Sequence, residues 1–499
     1  GAADGERAEA PSEEHEGDPE DLMQPLRYTS LGALWSQHGA SWAEFNRCVV
    51  PSAFPAAVSE NGYVGATLET YEHTRQRACL FDVSYKVGLR VTGSDREFVA
   101  DQFLTCNLGA MRPGDVQFAC ILDNKGLILD DAFVYLTDDS IEILASGCHA
   151  RQVEEFLGQY VFYVRRSGAD VALSASHRTA AVALQGPRAP EALAGCLARL
   201  NEEVGPVGLE AVGAEETSLP AEALEAMPYM SALVLRRRGG GGREGDGDDV
   251  VVLRAGTTGE DGFELLAPPG GLLESLVASL LESELVRPAG IYCLDVLRME
   301  AGLPRMGSDI PSGRITPIRA SLVWLLDQSK MRNHLMFGWE KMFFQLAKGP
   351  RFKRVGLLLD GPAHAGCRLL SNPHRQPIGE ITSTAWSPHL RSRIAMAYVR
   401  PEYAKVHTHV LATVPYNLPT WKMRSKAVKH WIKCGPLRSA YRRLVAACVA
   451  PLPFVPHRYP EPERQRRAAA RLRRFSPQEV RQAPARQEDA GAAARSAEP

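Results

Sequence analysis

The chain is 499 residues long, more than one hydrophobic core usually serves, so about two to four folded units are expected. Apolar residues make up 45% and charged residues 23%, an ordinary globular balance that excludes wholesale disorder and collagen-like or coiled-coil organisation. The 57 basic and 59 acidic side chains nearly cancel, to a net charge of −2, but they are segregated along the chain. The longest apolar run, Leu444 to Val455, is short and carries Pro451 and Pro453. A spanning helix needs about 20 consecutive apolar residues, so none is expected. Ten cysteines are scattered without a C-x-x-C pair, which reads as reduced thiols and not as a disulfide or zinc framework.

Residues 1–22 carry nine acids against Arg7 alone and have little to bury, so residues 1–25 read as a disordered acidic leader, unlike the acid-poor transit peptides. From Leu26 onward, short β-rich runs alternate with amphipathic helices. Val87, Leu89 and Val91 recur with period two, as in a half-buried strand, while Val153, Phe156, Leu157 and Tyr160 recur at helical spacing. The run from Arg236 to Asp249, RRRGGGGREGDGDD, cannot pack and reads as a hairpin loop between two apolar strands.

Four stretches carry possible chemistry. In LFDVSYKVGLRVTGSD, Leu80 to Asp95, a turn feeds a strand that ends at Gly93. In LDNKGLILDDAFVY, Leu122 to Tyr135, adjacent acids Asp130 and Asp131 interrupt a strand-like run. Neighbours on a strand face opposite sides, so one acid must point inward, where its pKa is perturbed and it becomes a candidate acid or base. A solvated pair at a strand end is the bland alternative. RAGTTGEDGFELLAP, Arg254 to Pro268, has glycines at 256, 259 and 262 but neither a G-x-G-x-x-G after a strand nor a P-loop lysine. LDVLRMEAGLPRMGSDI, Leu294 to Ile310, reads as a helix broken near Gly302.

In this order, together with LQGP at Leu184, GEITSTAWSP at Gly379 and LPFVPHRY at Leu452, these stretches resemble the glycine-cleavage T-protein family of tetrahydrofolate-dependent aminomethyltransferases. The resemblance runs from about Pro25 to Tyr459. It implies an α+β fold, a cloverleaf of mixed α/β subdomains with a C-terminal β-barrel. On that plan residues 26–344 form the folate-binding region in two subdomains, residues 345–457 form the barrel with a basic insertion at 415–443, and residues 458–499 run from a basic tail into disorder. The implied reaction moves an aminomethyl group from the lipoyl arm of a carrier protein to tetrahydrofolate. Asp131 corresponds to the family's catalytic aspartate and Glu264 to its pterin-binding glutamate. No metal is implied.

Other pocket positions depart from the family pattern. Tyr85 and Lys86 stand where the family has histidine and methionine, Thr257 replaces a tyrosine, and Leu294 replaces an arginine. An asparagine ahead of the helix near His149 aligns with Ala145. An isobutyl group cannot imitate a guanidinium, and a buried polar group left unpaired costs about 1–3 kcal/mol. Motifs of the iron-sulfur assembly relatives, and the flavin domain of the dimethylglycine and sarcosine dehydrogenases, have no counterpart here.

From Tyr403 to Pro460 there is no Asp or Glu. Lys422, Arg424, Lys426, Lys429, Trp431, Lys433, Arg442 and Arg443 lie in this run, and cations interleaved with aromatics suit contact with RNA or an acidic partner. A solvated helix is the bland alternative. His407 and His409 could share a strand face, but two imidazoles without a third ligand argue against a metal. Two functions are compatible with the sequence: a folate-dependent one-carbon transferase with an altered pocket, or a catalytically inactive relative retained as a structural or RNA-contacting subunit of a mitochondrial assembly such as a ribosome. The resemblance implies a mitochondrial location for both.

Overall fold

The computed structural model describes residues 26–54, 62–176, 180–203, 207–211, 224, 227–237, 249–415 and 442–459. Its elements form a seven-stranded sheet, a five-stranded sheet, a small N-terminal three-stranded sheet and a closed six-stranded barrel. This is the expected mixed α/β architecture with a C-terminal barrel.

The five-stranded sheet is ordered Val116–Leu122, Ile128–Leu136, Ser140–Ala145, Val87–Thr92, Ala172–Ser176. Strand Val87–Thr92 buries Val87, Leu89 and Val91 and turns Arg90 outward, as period-two hydrophobicity requires. Helix Ala150–Arg166 buries Val153, Leu157 and Val161 against this sheet, and its last turn carries Arg165 and Arg166, which complement the negative end of the helix dipole. In the seven-stranded sheet, Ala78–Asp82, Ala180–Gln185 and Gly262–Ala267 are contiguous and almost wholly buried. Helices Ala189–Glu203 and Leu272–Leu281 cover one face of this sheet.

A third apolar cluster lies where the two sheets meet. It includes Phe81, Val83, Tyr85, Phe133, Leu144 and Ala183, closed over by Leu294 and Leu297 of helix Ile291–Glu300. That helix stops at Gly302, whose φ of +74° favours glycine. The barrel closes because strand Lys353–Leu359 pairs with both Ser392–Val399 and Arg442–Ala450. After the barrel the chain returns to the sheets. Arg458 Nε donates to Glu260 at 2.9 Å, and Tyr459 stacks on Tyr229 at 4.2 Å. Arg458 and Tyr459 are thus packed, and the expected basic tail does not begin at residue 458.

The apolar runs flanking the glycine-rich segment pair antiparallel, Leu235 opposite Val250, with Arg236 bonded to Asp249 at the base of the hairpin; residues 238–248 lie outside the described residues. Nine of the ten cysteines are described, all as free thiols. His407 sits in a turn at φ +69°, ahead of the strand that begins at His409, so the two do not share a strand face. Among the described residues no helix is long and apolar enough to cross a membrane, and no cluster of three or more His, Cys, Asp or Glu could hold a metal ion.

Candidate active site

A cavity opens at the junction of the two sheets. Its lining includes Tyr85, Lys86, Asp131, Thr257, Glu264 and Leu294, six of the seven pocket positions expected from the sequence. Residues from strands separated by more than 170 positions thus share one enclosure.

Asp130 and Asp131 belong to strand Ile128–Leu136 and obey its alternation. Asp130 is completely buried. It accepts hydrogen bonds from the Ser146 hydroxyl, from Gly147 N at 3.1 Å and from Asp131 N at 2.9 Å. Asp131 is half-buried and faces the cavity. The inward-pointing acid is therefore Asp130, while the family correspondence singles out Asp131. Alternation alone nominates Asp130, whereas the member that lines the cavity is Asp131. Gly147, at φ +74°, lets this turn approach: a Cβ there would lie 2.2 Å from the Tyr85 carbonyl oxygen.

Both aspartates are held above the usual carboxylate range. Burial is the main cause for each. For Asp131 the neighbouring Asp130 charge raises the pKa further, while the Lys86 ammonium acts the opposite way. Burial, with Glu264 and Asp131 nearby, likewise raises the phenol of Tyr85. The Tyr85 ring meets Phe45 edge-on at 4.7 Å.

Glu264 lies on strand Gly262–Ala267, opposite Ala183, and is almost fully buried. Lys86 Nζ lies 2.6 Å from its Oε1 and 2.5 Å from its Oε2, and 5.0 Å from the centre of the Phe133 ring. The tight turn after strand Ala78–Asp82, closed by Lys86 N donating to the Val83 carbonyl at 3.0 Å, aims the lysine at the carboxylate. Both oxygens of the expected recognition carboxylate are thus engaged from within the protein. Leu294 presents an apolar side chain to the same cavity.

Ala145 does not line the cavity. On strand Ser140–Ala145 it points into the core of the five-stranded sheet, and its neighbours Leu144 and Ser146 face the cavity instead. Asn46 supplies an amide from elsewhere: it sits in the turn between strands Ser41–Phe45 and Cys48–Ala53 and donates through Nδ2 to the Ser146 carbonyl at 3.0 Å. Sequence reasoning missed Asn46 and also Arg305, which lines the mouth. A cation close after the helix break at Gly302 was the available signal for Arg305. Of the expected basic contacts, Lys422, Arg424, Lys426, Lys429, Trp431 and Lys433 lie outside the described residues. Arg442 begins the last barrel strand and Arg443 is exposed on it.

Two helix-covered sheets enclosing a cavity lined by Asp131 and Glu264, with a closed six-stranded barrel after them, form the fold of a glycine cleavage T-protein. The family model of the GCVT N-terminal domain matches residues 31–207 and 226–330, and that of the glycine cleavage T-protein C-terminal barrel domain matches residues 353–420. The chain belongs to the glycine cleavage T-protein family. It is 29% identical over 398 residues to the mitochondrial aminomethyltransferase of Dictyostelium discoideum, covering 78% of this chain and 89% of that protein. To the mitochondrial aminomethyltransferase of Homo sapiens it is 28% identical over 392 residues, covering 78% and 86%. The crystal structure of the glycine cleavage system aminomethyltransferase T from Bartonella henselae superposes with a TM-score of 0.67 at 25% identity, covering 87% of this chain and all of that one.

Proposed function

We propose that the protein is an aminomethyltransferase-type one-carbon enzyme whose tetrahydrofolate site is weakened. The observation that carries this is the convergence of Asp131, Glu264 and Tyr85 on one cavity. When bound, tetrahydrofolate would supply the nitrogen that accepts the one-carbon unit. Asp131, facing the open space, is placed to orient the ligand's nitrogens and to stabilise positive charge near them. Glu264 would hold the donor edge of the pterin, and burial of both groups excludes water that would otherwise compete. The donor of the one-carbon unit is a lipoyl-bearing carrier protein, and the names of the relatives support a mitochondrial location.

The fit of the ligand is partial, which accounts for the weakening. Seating a donor edge on Glu264 requires Lys86 to leave. Breaking a buried ion pair by removing one partner costs about 3–5 kcal/mol, part of which the arriving donors return. The guanidinium absent at Leu294 subtracts a further charge-assisted contact.

The Lys86–Glu264 pair also favours a second reading. A site that satisfies its own recognition carboxylate suits a catalytically inactive relative, a structural or RNA-contacting subunit of a mitochondrial assembly. Calorimetric titration with tetrahydrofolate, paired with single-turnover transfer from an aminomethylated lipoyl carrier, separates the two. Measurable binding and transfer support the enzyme; neither binding nor transfer would leave only the scaffold.

A further inference from the structure

Three cations line the cavity: Lys86, Arg298 and Arg305. Lys86 is committed to Glu264. Arg298 is buried and committed to internal partners, donating to Asp295, Asp309, the Leu303 carbonyl and Ser383. Arg305 differs. Its side chain is 34% exposed; Nη1 lies 3.0 Å from Asp295 Oδ1 and Nε lies 3.0 Å from Ser308 Oγ. Nη2 makes no hydrogen bond among the described residues, and the guanidinium carbon sits 5.4 Å from the centre of the Phe45 ring at the cavity rim.

The cavity therefore has a direction. Along its lining Glu264 and Lys86 are buried, Asp131 is half-buried, and Arg305 reaches solvent with a third of its side chain exposed. Arg305 also holds Asp295, the residue next to Leu294, so a guanidinium is present on the same wall although position 294 no longer supplies one.

We propose that Arg305 is a specificity-determining residue that selects a ligand with a carboxylate at its outer end. This rests on the folate reading of the site and adds the ligand's acidic tail as the group recognised. A planar guanidinium with a free Nη2 and an aromatic support is preorganised for such a group, whereas a lysine closed onto Glu264 is not.

The test compares the affinity of the full-length protein for tetrahydrofolate with its affinity for the same compound carrying both glutamate carboxyls as methyl esters. The parent should bind the free acid at least about tenfold more tightly than the diester, equivalent to about 1.4 kcal/mol. Arg305→Gln, which keeps a donor for Asp295 but no charge, should bind both forms equally, near the parent's diester affinity, and Arg305→Lys should retain part of the preference. A purely structural role would weaken both forms alike and leave the ratio unchanged, which overturns the proposal. If Arg305→Gln fails to fold, Arg305→Lys and the parent's own acid-to-ester ratio still decide. A parent that binds acid and ester alike overturns the proposal while the transferase reading stands; a parent that binds neither overturns both.

Discussion

Lys86 Nζ and the Glu264 carboxylate meet inside the cavity at 2.6 and 2.5 Å, bringing a residue of the turn before strand Val87–Thr92 onto a strand 178 positions later. The pair places an ammonium on the carboxylate to which the proposed function assigns the pterin. Its first consequence concerns Lys86→Met. With its internal partner gone, Glu264 should be available to the ligand, and tetrahydrofolate should bind at least about tenfold more tightly than to the parent, part of the ion-pair cost being returned. The unliganded variant should at the same time lose stability, because a buried carboxylate is left unpaired. Calorimetry and thermal unfolding on the same samples check both; unchanged affinity would show that Lys86 does not obstruct the site.

Asp131→Asn should lower turnover at least about tenfold, or about 1.4 kcal/mol of transition-state stabilisation, while leaving the fold intact. Single-turnover transfer measures it, and unchanged turnover would remove Asp131 from the chemistry.

The same variant has a signature in stability. An acid whose folded-state pKa is raised holds its proton more tightly when folded, so between the unfolded value, about 3.9, and the raised one the folded state carries more protons. Stability then falls as pH rises through that window. Burial, reinforced by Asp130, puts Asp131 in this category. Relative to the parent, Asp131→Asn should therefore gain more in melting temperature at pH 8 than at pH 5. Equal shifts at both pH values would mean that Asp131 titrates normally.

Leu294→Arg returns a guanidinium to the cavity wall. If the site is weakened and not abandoned, tetrahydrofolate binding should tighten by about 1–3 kcal/mol, the worth of a charge-assisted hydrogen bond. No gain, in the single variant or combined with Lys86→Met, would favour the scaffold.

Deleting residues 416–441 and joining the flanking strands with a short turn should leave the barrel closed, since Pro415 pairs with Arg442 and Val414 with Arg443 at the base of the insertion. Under the scaffold reading the deletion should abolish an RNA affinity that, in the parent, falls steeply with salt as counterion release requires. Filter binding across a salt series reads this, and a parent with no RNA affinity at low salt would defeat that reading.

Much of the architecture was legible in the sequence because it is written in local periods. The alternation of Val87, Leu89 and Val91 and the helical spacing of Val153, Phe156, Leu157 and Tyr160 place strand and helix where they are found. The ordered motifs also pointed to Asp131 and Glu264, and both line the cavity. Which acid of the 130–131 pair faces the cavity depends instead on which face of the sheet packs against the turn at Ser146 and Gly147, a contact between distant segments. Ala145 aligned with a pocket residue yet points into the core, because a strand's two faces exchange with every residue. Lys86 could be seen as a departure from pattern, but only the close approach of two strands shows that its ammonium closes on Glu264. Asn46 carries no local signal, and Arg305 only its place after a helix break; a hairpin turn and that segment become cavity walls only when the two sheets, the helix and the barrel are packed together.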